Sequence, residues 1–253
     1  MAVTTTTSGA NGRQSVAVAV ILGIGLAAAG WLAGHGFARG RTTDRYVTVK
    51  GIAEREVKAD LALWPLRVAT ADNDLGRAQA LNKESIQQIR AFLERNGIDV
   101  SRAELQKIEV TDAYVNQYQD VSRIPSRYVV NQTLMVRSDK PESILEASQK
   151  IGDLVSAGVV LSSGGEYGFG GPTFLFTRLN DLKPEMIGEA TTRAREAAQT
   201  FARDSGSQLA GIRRANQGVF EILPRDQAPG IQEESQLNKR VRVVSTVEYF
   251  LRD

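Results

Sequence analysis

The 253 residues carry 31 Lys and Arg against 29 Asp and Glu, with 42% hydrophobic and 24% charged residues, the balance of a folded protein with a full-sized core. Zero Cys excludes disulfides, thiolate nucleophiles and Cys-based zinc or iron-sulfur sites, and a single His narrows the catalytic options further. Residues 1–50 hold Arg13, Arg39, Arg41, Arg45 and Lys50 against Asp44, a net +4, which leaves −2 for the rest of a chain whose total is +2. Such an interspersed, slightly acidic body argues against nucleic acid as a partner, because neutralising a phosphate backbone needs clustered positive charge.

Residues 1–13 read as a cytoplasmic or disordered tail. From Gln14 to Ala38 no residue carries a full charge, and Val16 to Ala33 is an unbroken run of eighteen apolar or glycine residues between Arg13 and Arg39. As a helix, residues 14–38 extend ~37 Å and the apolar core ~27 Å, enough for a hydrocarbon layer of ~30 Å. Trp31 and His35 then fall near one interface. The expectation is an uncleaved transmembrane signal anchor over 14–38 whose partner is the lipid bilayer. A cleaved signal peptide is the competing reading, although its apolar stretch usually runs only ~7 to 15 residues. Arg39, Arg41 and Arg45 outnumber Arg13, so flanking charge favours a cytoplasmic body, while the absence of Cys suits an oxidising compartment. Small residues recur at Ala19, Gly23 and Ala27 and at Gly30 and Gly34, a pattern compatible with helix–helix contact and equally with ordinary membrane-helix composition.

After a linker over 39–45, a domain over 46–253 begins with a strand at Tyr46 to Lys50, interrupted at Gly51. Leu61 to Thr70 is a second strand, with Pro65 pointing to an edge or a bulge. Asn73 or Asp74 caps a helix with apolar positions at Leu75, Ala78, Leu81, Ile86, Ile89, Phe92 and Leu93, closed by Gly97 with Ile98 folding back. Glu104 to Val115 and Tyr128 to Arg137 form a long hairpin, and Pro141 opens a helix to about Ser156. The second half reads as a strand at Pro172 to Leu179, a helix from Lys183 to Ser205, a strand at Gly218 to Leu223 and a closing strand from Lys239 to Leu251. The expected fold is therefore α+β, with two β-α-β-β pseudo-repeats placing helices on an antiparallel or mixed sheet after one transmembrane helix.

Few residues suggest chemistry. The Gly-rich tract Ser162 to Pro172 lacks a Gly-Lys-Ser/Thr ending and a following helix, so it reads as a surface connector, with Tyr167 and Phe169 available for subunit contact. Glu54, Glu56 and Asp60 suit a solvated turn better than a cation site without an EF-hand pattern. His35 sits at the membrane boundary with no second His. Asn131-Gln132-Thr133 matches a glycosylation acceptor but falls inside an expected strand. From Phe176 to Ile187 the chain turns from strand to helix, with Asn180 or Asp181 meeting free amides and Pro184 in the first turn. Met186, Ile187, Ala190, Ala194, Ala197, Ala198, Phe201 and Ala202 then form one Ala-rich face, and Glu189 pairs with Arg193.

Those segments resemble the SIMPL-domain family, also called domain of unknown function 541, and particularly its membrane-anchored bacterial branch. The resemblance rests on Tyr46 to Gly51, Ala59-Asp60 with Trp64, Phe176 to Ile187, Ala194-Arg195-Glu196-Ala197-Ala198 through Phe201 to Ser205, Ala215-Asn216-Gln217-Gly218, and Val241 through Tyr249. Gln117 to Arg127 and Arg225 to Leu237 carry no family signal. What the resemblance implies is an α+β domain of the bacterial envelope, related to periplasmic proteins linked to oxidative-stress defence, some of them oligomeric. It implies no established reaction. Arg195, Asn216 and Gln217 stand out as polar positions, for which buried hydrogen bonding is the simpler explanation.

The expected function is thus a non-enzymatic assembly or binding module, anchored in the bacterial inner membrane as a single-pass protein with a periplasmic domain and able to form homo-oligomers through exposed strands, including the carboxy-terminal one. No catalytic, cofactor-binding or metal-ligating residue is assigned, and no cofactor is implied. The alternative is a periplasmic protein binding a small molecule or peptide in a groove lined by Trp64 or Tyr114. An enzyme would draw its acids or bases from Asp60, Glu166 or Asp204, none of which has a visible catalytic partner in the sequence.

Overall fold

A computed structural model describes residues 11–42, 45–115, 125–162 and 171–252. Helix α1 (Asn11–Thr42) contains Val16–Gly36, whose mean hydropathy of 2.3 and 21 residues make it long and apolar enough to cross a membrane. Its side chains there are unburied, and the rings of Trp31 and His35 stack at 4.9 Å. The helix runs on through Arg39–Thr42, the first part of the expected linker.

The remaining elements are β1 (Tyr46–Lys58), β2 (Leu61–Asp72), α2 (Leu75–Arg95), β3 (Glu104–Asp112), β4 (Tyr128–Ser138), α3 (Pro141–Gln149), α4 (Gly152–Ser156), β5 (Thr173–Leu175), α5 (Leu179–Asp204), β6 (Gln208–Gln217), β7 (Glu221–Pro224) and β8 (Asn238–Arg252). One sheet has the order β3-β4-β2-β5; the other runs β1-β8-β6, with β7 also paired to β8. The described residues form two compact units, one within 51–193 and 217–245, the other within 1–50, 194–216 and 246–253.

The larger unit holds a core in which α2 covers β2 and β4. Period-two alternation points Trp64, Leu66 and Val68 of β2 and Leu134 and Val136 of β4 to the same side, where Ile86, Ile89, Phe92 and Leu93 meet them. Asp74 caps α2 through a bond accepted from the Arg77 amide (2.8 Å). Gly97 closes the helix at φ +74°, the left-handed region that glycine enters without steric cost, and the Ile98 amide donates back to the Leu93 carbonyl at 3.0 Å. Leu75 and Leu81, expected on the inward face, are exposed, and Asn82 takes an inward position instead. In the same unit Met186 and Ala190 of α5 pack with Ala53, Val241 and Val243. The smaller unit repeats that chemistry with Ala194 and Ala198 against Val47, Val247 and Tyr249. Alanines at every fourth position bring α5 close to its sheet, whereas Ala197 and Phe201 lie off this face and are exposed.

Several local expectations are corrected. Strand β1 passes through Gly51 to Lys58, because its alternation continues with Ala53 buried. The expected helix 141–156 is broken at Lys150–Ile151 into α3 and α4. The strand expected over 172–179 pairs only at Thr173–Leu175, on the edge of β2, and α5 starts at Leu179, so Pro184 lies inside the helix rather than in its first turn. Strand β6 takes up Gln208–Gln217, where no strand was expected, and the next strand is shortened to Glu221–Pro224. The closing strand β8 is not an edge but lies between β1 and β6.

These shifts also change the repeat. Around α2 the strand order is β3-β4-β2; around α5 the matching order is β6-β8-β1. The opening strand of the second β-α-β-β unit is therefore β1, from before the first unit, and the residues expected to serve in its place add β5 to the neighbouring sheet.

Candidate functional site

Asp60 sits in the two-residue connection from β1 to β2, where its amide donates to the Leu175 carbonyl (3.0 Å) and that of Ala59 to the Leu237 carbonyl (2.9 Å). Its carboxylate accepts both the amide and the hydroxyl of Thr177, each at 2.7 Å, with Arg178 Nε 3.6 Å away. Partial burial acts to raise the Asp60 carboxyl, but the Thr177 bonds and the Arg178 charge together hold it below the ordinary carboxylate range. Both oxygens thus fasten the β1–β2 turn to the entrance of α5. The segments Ala59-Asp60 and Phe176-Thr177-Arg178, far apart in sequence, meet here as one fastening.

The other candidate carboxylates are not brought together with it. Glu54 faces Arg242 (3.6 Å) and Arg240 (4.0 Å), Glu56 is within electrostatic reach of Arg225, and Asp204 pairs with Arg203 at 3.8 Å. Among the described residues, no three acidic or His side chains form a cluster able to hold a metal ion. Glu166, Tyr167 and Phe169 lie outside the described residues. Asn131, Gln132 and Thr133 are part of β4, as expected.

Trp64 does not line a groove. It is fully buried in the α2–β2–β4 core, and its Nε1 has no hydrogen-bond partner among the described residues. Tyr114 remains at the surface, 45% exposed, beneath the Arg127 guanidinium, which stands 5.2 Å from its ring and 4.8 Å from that of Tyr128. Arg127 also donates to both oxygens of Asp112, Nε to Oδ1 (3.2 Å) and a terminal nitrogen to Oδ2 (3.0 Å), and this pairing lowers the Asp112 carboxyl. The cluster clamps the loop end of the β3–β4 hairpin, beside the Asp112–Tyr128 pair.

Arg195, Asn216 and Gln217 are exposed, so burial does not account for them. Ala215, Asn216 and Gln217 are the last residues of β6 rather than a turn. Gly218 has a clear steric role. Its amide donates to the Val244 carbonyl at 2.8 Å, and a Cβ placed on it would stand 2.6 Å from that same oxygen. A residue that sequence reasoning missed is Lys239, completely buried, bonded to the Glu233 carbonyl (2.7 Å) and ion-paired with the Glu233 carboxylate. Strand parity carried the clue, since Lys239 shares the inward register of Val241, Val243 and Val247 on β8.

The profile of the SIMPL family, described as a protein of unknown function (DUF541), matches residues 47–248. The chain belongs to the SIMPL family. The SIMPL match begins at Val47 and so covers both sheets and α2 to α5, while α1 lies before it. No curated protein matches the chain. In this SIMPL protein the family region includes Asp60, Thr177, Gly218 and Lys239, each with a structural partner inside it.

Proposed function

We propose that this SIMPL-family protein is a membrane-anchored module of the bacterial cell envelope that acts by contact, through self-assembly, rather than by catalysis. The supporting observation is the combination of α1, apolar over Val16–Gly36 and unburied, with a folded domain in which the carboxylates of Asp60, Glu54 and Asp204 are held in hydrogen bonds or ion pairs. A lipid bilayer is the natural environment for such a helix. In this reading α1 stays attached as a single inner-membrane anchor and the domain is periplasmic. An alkaline phosphatase fusion after Lys50 is then active, and the full chain stays in the membrane fraction at alkaline pH. Silence of the fusion overturns the orientation, and release of a shortened soluble form overturns the anchor. Mass measurement of the full chain in detergent tests the assembly, with a strict monomer at all concentrations as the refuting result. The oxidative-stress connection belongs to the same proposal, tested by survival of a deletion strain under peroxide.

A further inference from the structure

Strand β3 is an edge of its sheet, and among the described residues no strand pairs with its outer side. Eight of its nine residues are exposed. A register shift between Leu105 and Ile108 brings Leu105, Ile108 and Val110 opposite Leu134, Gln132 and Val130, so the three share one face. They are 50%, 47% and 45% exposed, an apolar row beside a line of backbone groups that no strand among the described residues pairs. On the other face Lys107 and Glu109 lie side by side (3.1 Å), with Arg67 reaching Glu109 at 3.3 Å.

We infer that β3 pairs with β3 of a second copy of this chain, antiparallel about Ile108; this rests on the assembly reading above and names its interface. In that register Lys107 of each copy stands opposite Glu109 of the other, so the charged face is complementary twice over, and Ile108 meets Ile108 at the two-fold axis. Centring the pair on Glu109 would instead oppose like charges. Two of the other edges fit a second copy less well. Strand β5 has three residues, and β6 carries the adjacent cations Arg213 and Arg214.

The absence of Cys from the sequence makes the test clean. In the full chain in nanodiscs or detergent, Ile108→Cys is expected to give a disulfide-linked dimer on mild oxidation, while Thr192→Cys on the exposed side of α5 gives none. Lys107→Glu and Glu109→Lys each weaken dimerisation about tenfold by placing like charges opposite one another twice, and the double variant restores it to within about twofold. All sites are exposed, so unchanged thermal melts separate an interface effect from misfolding. A wild-type oligomer with no Ile108→Cys crosslink, or one unaffected by the single charge reversals, overturns the β3 pairing while leaving assembly intact; so does an oligomer formed only with another polypeptide on this edge. A wild-type monomer at every concentration overturns both.

Discussion

Removing the Asp60 carboxylate tests whether the motif residues around it serve architecture. Asp60→Ala deletes the acceptor for the Thr177 amide and hydroxyl, two bonds of 2.7 Å, and the nearby charge for Arg178. Hydrogen bonds to a charged group are worth ~1.5–3 kcal/mol each when buried. Thr177 is exposed, so water replaces part of each bond, and the expected cost of Asp60→Ala is about 1–2 kcal/mol, with Asp60→Asn at about half that. For a domain of this size such a loss lowers the melting temperature by ~2–8 °C. Thermal melts of the full chain in detergent, followed by Trp64 emission in a Trp31→Phe background, supply the assay. The sign with pH is fixed by the depressed carboxyl. The group contributes stability in full above its unfolded pKa of ~3.9 and loses it as pH falls through the lower folded value. The gap between wild type and Asp60→Asn is therefore constant from neutral pH to about pH 5 and narrows below about pH 4. Coincident melts at neutral pH, or a gap that does not change at low pH, refute the reasoning.

Ala194→Leu and Ala198→Leu place three extra carbons on fully buried positions of α5 and are expected to destabilise by ~1–3 kcal/mol through overpacking, read in the same melts. Gly218→Ala sets a methyl group 2.6 Å from a backbone oxygen and costs ~1–3 kcal/mol, with loss of amide protection at Gly218 and its neighbours in hydrogen exchange. Glu233→Ala strands the buried Lys239 ammonium and costs ~3–5 kcal/mol, whereas Lys239→Met removes the buried charge and is expected to cost less in urea titrations; the opposite ranking counts against an ion pair between them.

Much of the first half was legible because its signals are local. Asp74, Gly97 and the helical repeat between them mark α2, and alternation marks the β3–β4 hairpin. The second half was harder for physical reasons. Gln208–Gln217 holds Arg213, Arg214, Asn216 and Gln217 on a strand exposed along most of its length, so it shows no apolar alternation to read. Phe176 to Leu179 looks strand-like by composition, yet Phe176–Arg178 is the lead-in to α5, which starts at Leu179, and Thr177 is tied down by Asp60 from 117 positions away. No local pattern shows that β1 will pair with β8, or that Trp64 is core rather than groove, because both depend on which sheet each strand joins. Arg195, Asn216 and Gln217 invited a buried explanation because motif-like polar residues usually satisfy interior groups, and the structure leaves them in solvent.

The position of β8 between β1 and β6 has a consequence for biogenesis. Residues 46–58 and 208–217 gain their neighbour only when residues 238–252 have been made, so the sheet cannot zip up progressively as the polypeptide emerges. Until then β1 waits beside the apolar segment with bare hydrogen-bonding groups on both flanks. A nascent polypeptide stalled before Asn238 should be a client for holdase chaperones, while the β2-α2-β3-β4 stretch, complete by residue 138, already holds three of its sheet's four strands and condenses much earlier.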